Sequence, residues 1–179
     1  MPKRLDAVIV VDVEATCWEG NPPPGQINEI IEIGVCLLDI ATGERWERRS
    51  LLVRPEYSSV SPFCTALTTL TPAQVETGLS FQEACRILQQ KYQTMDRPWA
   101  SFGDYDRIQF ERDCERKQVR YPFGRRHINI KTLAGLKFKR DQEPGMPEAL
   151  SLLKLPLEGT HHRGGDDAWN IAAILAALL

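Results

Sequence analysis

The sequence has no CxxC pair and no cluster of cysteines: Cys17, Cys36, Cys64, Cys85 and Cys114 are widely spaced and odd in number. That pattern argues against a disulfide framework or a zinc site and for free thiols in a reducing compartment, read here as the cytoplasm. A surplus of positive charge is also missing. The formal net charge of −2 disfavours the coating of long duplex nucleic acid, although it leaves room for a local basic groove. The strongly apolar stretch Ile171 to Leu179 is too short to span a bilayer, so no membrane partner is expected. The opening MPKRLDAVIVV carries two basic residues, but Asp12 and Glu14 break its apolar run and no small-residue cleavage site follows. It reads as a strand rather than a signal peptide. With no internal repeat, low-complexity tract or long linker, 179 residues suit a single domain over 1–179.

What is present is a mixed α/β pattern. Asp6 to Thr16 (DAVIVVDVEAT) reads as a strand buried on both faces, followed by a Pro/Gly loop over Glu19 to Gly25. Glu29 to Ile40 is a second strand, turning at Ala41-Thr42-Gly43 into an antiparallel partner over Glu44 to Val53. Arg54 to Leu70 reads as irregular. Thr71-Pro72 is an N-cap with proline at the first helical position, and Ser80-Phe81-Gln82-Glu83 is a capping box opening a helix to about Thr94. A short strand at Trp99 to Phe102 leads into a helix from Asp104 to Lys117. His127 to Ile130 reads as another strand, and helices at Met146 to Leu153 and Asp166 to Leu178 complete the chain.

Acids gather at the ends of three of these elements. Asp12 and Glu14 lie two residues apart on one strand, so their side chains point the same way. Two carboxylates at the end of a buried strand call for a cationic partner, and a divalent metal bound through oxygen is the natural one. Asp104 and Asp106 follow in Gly103-Asp104-Tyr105-Asp106, and Asp166 and Asp167 end the stretch His161-His162-Arg163-Gly164-Gly165-Asp166-Asp167. Asp104 and Asp166 alone are accounted for as helix caps or first-turn acids.

The segments VDVEATCWEGNPPP, NEIIEIGVCLLD, LVRPE with SPFCTALTTLTPAQV, FGDYDRIQFERDC, HINIKTLAG and HHRGGDDAWNIA succeed one another from about Val8 to Ala173. In this order they resemble the DEDDh 3′–5′ exonucleases, the proofreading-exonuclease superfamily. More narrowly, they are similar to its enhanced-RNAi and histone-mRNA exonuclease subgroup. The resemblance implies an RNase H-like fold, a mixed β-sheet flanked by α-helices. It also implies a catalytic set of Asp12, Glu14, Asp106, His162 and Asp167, with the spacing from histidine to aspartate favouring His162 over His161. Related exonucleases often carry an Asn-containing stretch where this chain has Phe102-Gly103-Asp104, which leaves Asp104 either near the metals or capping the helix; the cap is favoured.

Phosphodiester hydrolysis of this kind uses two divalent ions, Mg²⁺ or Mn²⁺, about 3.5–4 Å apart. The resemblance puts Asp12, Glu14 and Asp167 on the nucleophile-side ion, with Asp12 bridging and Asp106 supporting the second. His162 is the general base, since an unperturbed pKa of about 6.5 suits neutral pH. Gly164 and Gly165 would let its loop bend, so that His162 swings in only with metals and substrate present. Substrate contacts implied by the resemblance are Glu14, His162, the backbone of Ala15 and Thr16, and Phe63 and Tyr105 against the terminal base. Phe63 is equally well explained as core packing, and Leu70 as a base wedge or as core. Arg120, Arg125, Arg126, His127 and Lys131, followed by Lys137, Lys139 and Arg140, would track a phosphate backbone or form a solvated face. The implied activity is 3′–5′ exonucleolytic release of nucleoside 5′-monophosphates from single-stranded 3′ ends, RNA favoured. Alternatives are single-stranded DNA or short oligonucleotides, or a catalytically silent nucleic-acid-binding domain.

Overall fold

The structure is a computed structural model that describes residues 4–179. Within them, a five-stranded mixed sheet in the order β3-β2-β1-β4-β5 organises the chain. The strands are β1 (Val8–Ala15), β2 (Ile30–Leu38), β3 (Arg45–Leu52), β4 (Trp99–Ser101) and β5 (His127–Asn129). β1 pairs antiparallel with β2, and β2 with β3, while β1–β4 and β4–β5 are parallel. This is the RNase H-like arrangement expected.

The alternation of β1 decides where the chemistry goes. Ile9, Val11 and Val13 pack on one face, against Phe81, Leu88 and Phe110 from α3 (Phe81–Lys91) and α4 (Tyr105–Arg116). Val8 and Val10 pack on the other face, beneath α7 (Gly164–Leu178), α5 (Ile130–Lys137) and α6 (Met146–Leu152). Asp12 and Glu14 continue that second register and so emerge under the start of α7. On β2 the same face carries Glu32 and Gly34. A Cβ on Gly34 would lie 1.8 Å from the carbonyl oxygen of Gly164, so only glycine lets α7 seat this low on the sheet.

Two helices were not visible in the sequence pattern. α1 (Pro62–Thr68) lies inside the segment read as irregular, capped by Ser61 and ended by Thr69 at φ 64°. α5 begins where a strand was expected to end, with Asn129 accepting the N–H of Thr132 at 3.0 Å. The expected capping box of Ser80 and Glu83 opens α3, and the expected Thr71 N-cap opens α2 (Pro72–Glu76), where Gln74 completes a capping box that the sequence reading did not name. Among the described residues, no helix is long and apolar enough to cross a membrane.

Candidate active site

The acids come from three elements that meet at one end of β1. Asp12 and Glu14 leave its last turns of pleat, Asp167 sits in the first turn of α7, and Asp106 in the first turn of α4. β4 pairs with β1 only at Ile9 and Val10, so Val13 has lost its strand neighbour. Asp106 takes that place, its Oδ1 accepting the N–H of Val13 at 2.8 Å. One oxygen each of Asp12, Glu14 and Asp167 lie within 4.8 Å of one another. A cavity of about 390 Å³ opens above them, lined also by Asp106, Tyr105, His161 and His162.

Burial without neutralisation sets the electrostatics. Loss of solvent, and then the charges of Asp106, Glu14 and Asp167, hold Asp12 well above the usual carboxylate range. Burial followed by Asp167 and Glu32 pushes Glu14 up to about 8. Burial also raises Asp106 to about 7, although the Val13 N–H opposes it, and raises Asp167 against the pull of the His162 N–H and His161. Among the described residues, no Lys or Arg forms an ion pair with any of the four. Like charges this close repel by roughly 3 kcal/mol per pair at an effective dielectric near 20. Buried hard oxygen donors with no cation of their own are a donor set that fits Mg²⁺ or Mn²⁺.

His162 lies beside these acids, its Nδ1 3.9 Å from Glu14 Oε1. Its backbone is in the left-handed region at φ 64°, and its N–H donates to Asp167 Oδ2 at 2.8 Å. Burial, then neighbouring His161, holds its pKa below the usual histidine value, so the ring is neutral at pH 7. His161, read in the sequence as a bystander, bonds through Nδ1 to Asp167 Oδ2 at 3.0 Å and stacks on His162 at 3.9 Å. Spacing alone could not reveal this, because the left-handed residue turns both rings onto the same side of the loop.

Several expectations need correction. Gly164 and Gly165 are not a bending loop: they are the first residues of α7, and a Cβ on Gly165 would meet Ser50 Oγ at 2.5 Å. His162 lines the cavity. Leu70 is fully buried with Ile31, Cys64 and Val75 and presents no wedge; half-exposed Leu67 lines the cavity instead. Phe63, one helical turn from Leu67, is 42% exposed, which removes the core-packing alternative. Tyr105 is exposed at the cavity mouth, and Ala15 lines its wall. Thr16 is fully buried, its N–H donating to Glu29 and its carbonyl accepting from Asn28, so its backbone is committed. Asp104 occupies the N-cap position of α4 without a capping bond and instead pairs with Arg107 at 3.2 Å. Asp166 points away from the cluster to Arg48 at 2.7 Å. The basic neighbourhood splits. Arg126 is tied to the carbonyl of Asp96 toward the opposite end of the sheet, whereas Lys131 packs at Gly103 near the site.

Comparison with known proteins agrees with this geometry. The exonuclease (RNase T) family model matches residues 9–175. Human 3′-5′ exoribonuclease 1 is 32% identical over 184 residues, covering 97% of this chain and 52% of that protein. Human ERI1 exoribonuclease 2 is 31% identical over 195 residues, covering 95% of this chain and 28% of that protein. The chain thus spans about half, or less, of the length of these relatives. The nuclease domain of 3′hExo, a DEDDh family member solved bound to rAMP, superposes with a TM-score of 0.83 at 30% identity, covering 98% of this chain and 92% of that one. Because the family match runs from β1 through to α7 and so takes in every strand that carries or supports these acids, the chain belongs to the exonuclease family.

Proposed function

We propose that the protein is a metal-dependent 3′–5′ exonuclease that hydrolyses phosphodiester bonds at the 3′ end of single-stranded RNA and releases nucleoside 5′-monophosphates. One observation carries the reading: Asp12, Glu14 and Asp167 converge within 4.8 Å, with no Lys or Arg paired to them among the described residues, on a cavity that His162 also lines. Two ions, Mg²⁺ or Mn²⁺, held by Asp12, Glu14 and Asp167 with Asp106 in support, would offset charge on the phosphate and acidify the attacking water. His162 takes the proton from that water, its depressed pKa keeping the ring free to accept it. Tyr105 and Phe63 offer exposed flat faces to the terminal base, which tolerates any sequence at the end being removed. Ala15 and Leu67 line the same cavity. RNA is favoured over DNA because the relatives named above are exoribonucleases.

The residues 1–179 are read as a single exonuclease domain. Its cysteines, four of the five buried and all free, suit a reducing compartment, and we place it in the cytoplasm.

The test is a parallel digest of matched single-stranded RNA, single-stranded DNA and duplex, labelled at the 5′ end, with Mg²⁺ or Mn²⁺. The expected result is a ladder shortening from the 3′ end of RNA and abolished by EDTA. Undiminished cleavage in EDTA, or cutting at internal positions when the 3′ end is blocked, would overturn the reading. Faster loss of the DNA would move the substrate to single-stranded DNA, and binding with no cleavage of any strand would leave a silent binding domain.

A further inference from the structure

A fifth buried carboxylate adjoins the cluster and belongs to none of the roles above. Glu32 stands directly across from Glu14 in the β1–β2 register and is fully buried. Like charges facing each other across a ladder destabilise it, so Glu32 needs a reason to be there. Its oxygens are fully engaged: they accept the Gly164 N–H at 2.8 Å, and Arg163 Nη2 and Nε at 3.0 and 3.3 Å. The Gly164 N–H is one of the orphan donors of the α7 N-terminus, where Arg163 supplies no side-chain cap. Glu32 thus caps α7 from another strand, with its charge at the positive end of the helix dipole. Arg163 also reaches Thr69 Oγ1 at 3.4 Å, the residue that ends α1. The main chain carries the restraint onward: the N–H of Asp167 donates to the carbonyl of Arg163 at 2.8 Å, and the Asp167 carboxylate holds His162.

We propose that Glu32 and Arg163 form a positioning clamp that fixes the start of α7 and thereby sets Asp167 and His162 against Glu14. The proposal rests on the exonuclease reading for its kinetic consequences but not for its structural ones. Because both Glu32 oxygens are occupied, Glu32 is a positioning residue and not another metal ligand. Glu32→Gln keeps the shape and an acceptor for Gly164 but leaves Arg163 without its charge partner. Groups that orient catalytic side chains from behind typically contribute about 10- to 100-fold to activity.

The experiment compares wild type with Glu32→Gln, Arg163→Met and the double variant. It uses single-turnover RNA cleavage, Mn²⁺ titration calorimetry, and imidazole NMR of the metal-free proteins, in which the chain's three histidines are separately visible. The expected result is a loss of about 10- to 100-fold in kcat with KM little changed. The double variant should be no worse than the poorer single one, and Glu32→Gln and Arg163→Met should weaken Mn²⁺ binding to the same extent, because both act through Asp167. The resonances of His162 and His161 should shift or broaden while that of His127 stays put. Arg163→Lys, which keeps the charge with less of the geometry, should recover part of the rate and serves if Arg163→Met folds poorly. Unchanged kcat and unchanged His162 resonances in a folded Glu32→Gln would overturn the clamp. A drop in Mn²⁺ affinity in Glu32→Gln that Arg163→Met does not share would also overturn it, by making Glu32 a ligand. If wild type itself cleaves nothing, the exonuclease reading fails, and the NMR comparison still decides the clamp.

Discussion

Two groups of buried carboxylates flank the antiparallel pair β1–β2, and they are compensated in opposite ways. Beside the start of β2, Glu29 accepts Lys117 Nζ at 2.6 Å and the N–H groups of Glu56 and Tyr57, both at 2.9 Å. Asp113 next to it accepts the N–H of Ile30 at 2.8 Å and pairs with Arg116 at 3.2 Å. Burial would lift Glu29, but Lys117 and those amides more than offset it and hold the carboxyl below its usual range. Burial still holds Asp113 above the usual range, although the Ile30 N–H, Lys117 and Arg116 all pull it down. The first group is thus met by its own cations and amides, which tie α4 to the start of β2 and to the loop at 54–58. In the second group Glu14, Asp106 and Asp167 are buried and Asp12 partly so, all four are held above that range, and among the described residues no Lys or Arg pairs with any of them. The second is left for something outside the chain to complete. We read acids that raise one another and have no cation partner as a better mark of function than burial, a raised carboxyl or acid count alone.

The largest expected effect separates the histidines that serve the strained group. His162→Ala is expected to lower single-turnover cleavage by about 10²–10⁴-fold, as for a general base. His161→Ala removes a hydrogen bond to Asp167 and the ring stacked on His162, and is expected to lose on the order of 10-fold. Equal losses for the two would show that the stacked pair acts as one unit.

Next in size is the reciprocal change in the satisfied group. Lys117→Met leaves Glu29 buried without its cation, with the two side chains only 4% and 0% exposed in wild type. Breaking a buried pair in this way typically destabilises by about 3–5 kcal/mol. Urea unfolding should show that loss, while cleavage per folded molecule is retained. A fall in cleavage that outruns unfolding would mean that the two groups are not separate.

The sequence made much of this legible, for identifiable reasons. The two-residue period of β1 put Asp12 and Glu14 on one face, and the Thr71-Pro72 start of α2 and the capping box of α3 are local chemistry that needs no tertiary information. The Ser61-Pro62 start of α1 carries the same signal as Thr71-Pro72, yet a helix of two turns shows no periodicity to support it. Leu70 and Phe63 were indistinguishable by composition, since only the fold decides that Phe63 on α1 faces outward while Leu70, just past its end, is buried. The tie from Glu32 to Arg163 and Gly164 spans more than 130 residues and left no local trace.

A smaller effect is the pH dependence of the metal-free protein. Glu14 and Asp106 are raised from 4.5 and 3.8 to about 8 and about 7. The folded state therefore binds more protons than the unfolded one between those values. Stability from this source is present at low pH and lost as pH rises through 7 and 8. Glu29 has the opposite sign: its contribution is present above 4.5 and lost as pH falls through its depressed value. Thermal melting in EDTA should thus be highest in mildly acidic buffer, and saturating Mg²⁺ or Mn²⁺ should remove the decline on the alkaline side. A melting temperature that rises from pH 6 to 8 in EDTA would contradict the assignment of strain.

The most direct measurement is the melting of Asp167→Asn beside wild type at pH 8, first in EDTA and then across a Mn²⁺ titration. Removing one charge while keeping the shape should relax the site, so the metal-free variant is predicted to melt above wild type. Mn²⁺ should then raise wild type by mass action and the variant much less. A variant that melts below wild type in EDTA and gains as much from Mn²⁺ would contradict the claim that these four acids form one uncompensated, metal-completed site.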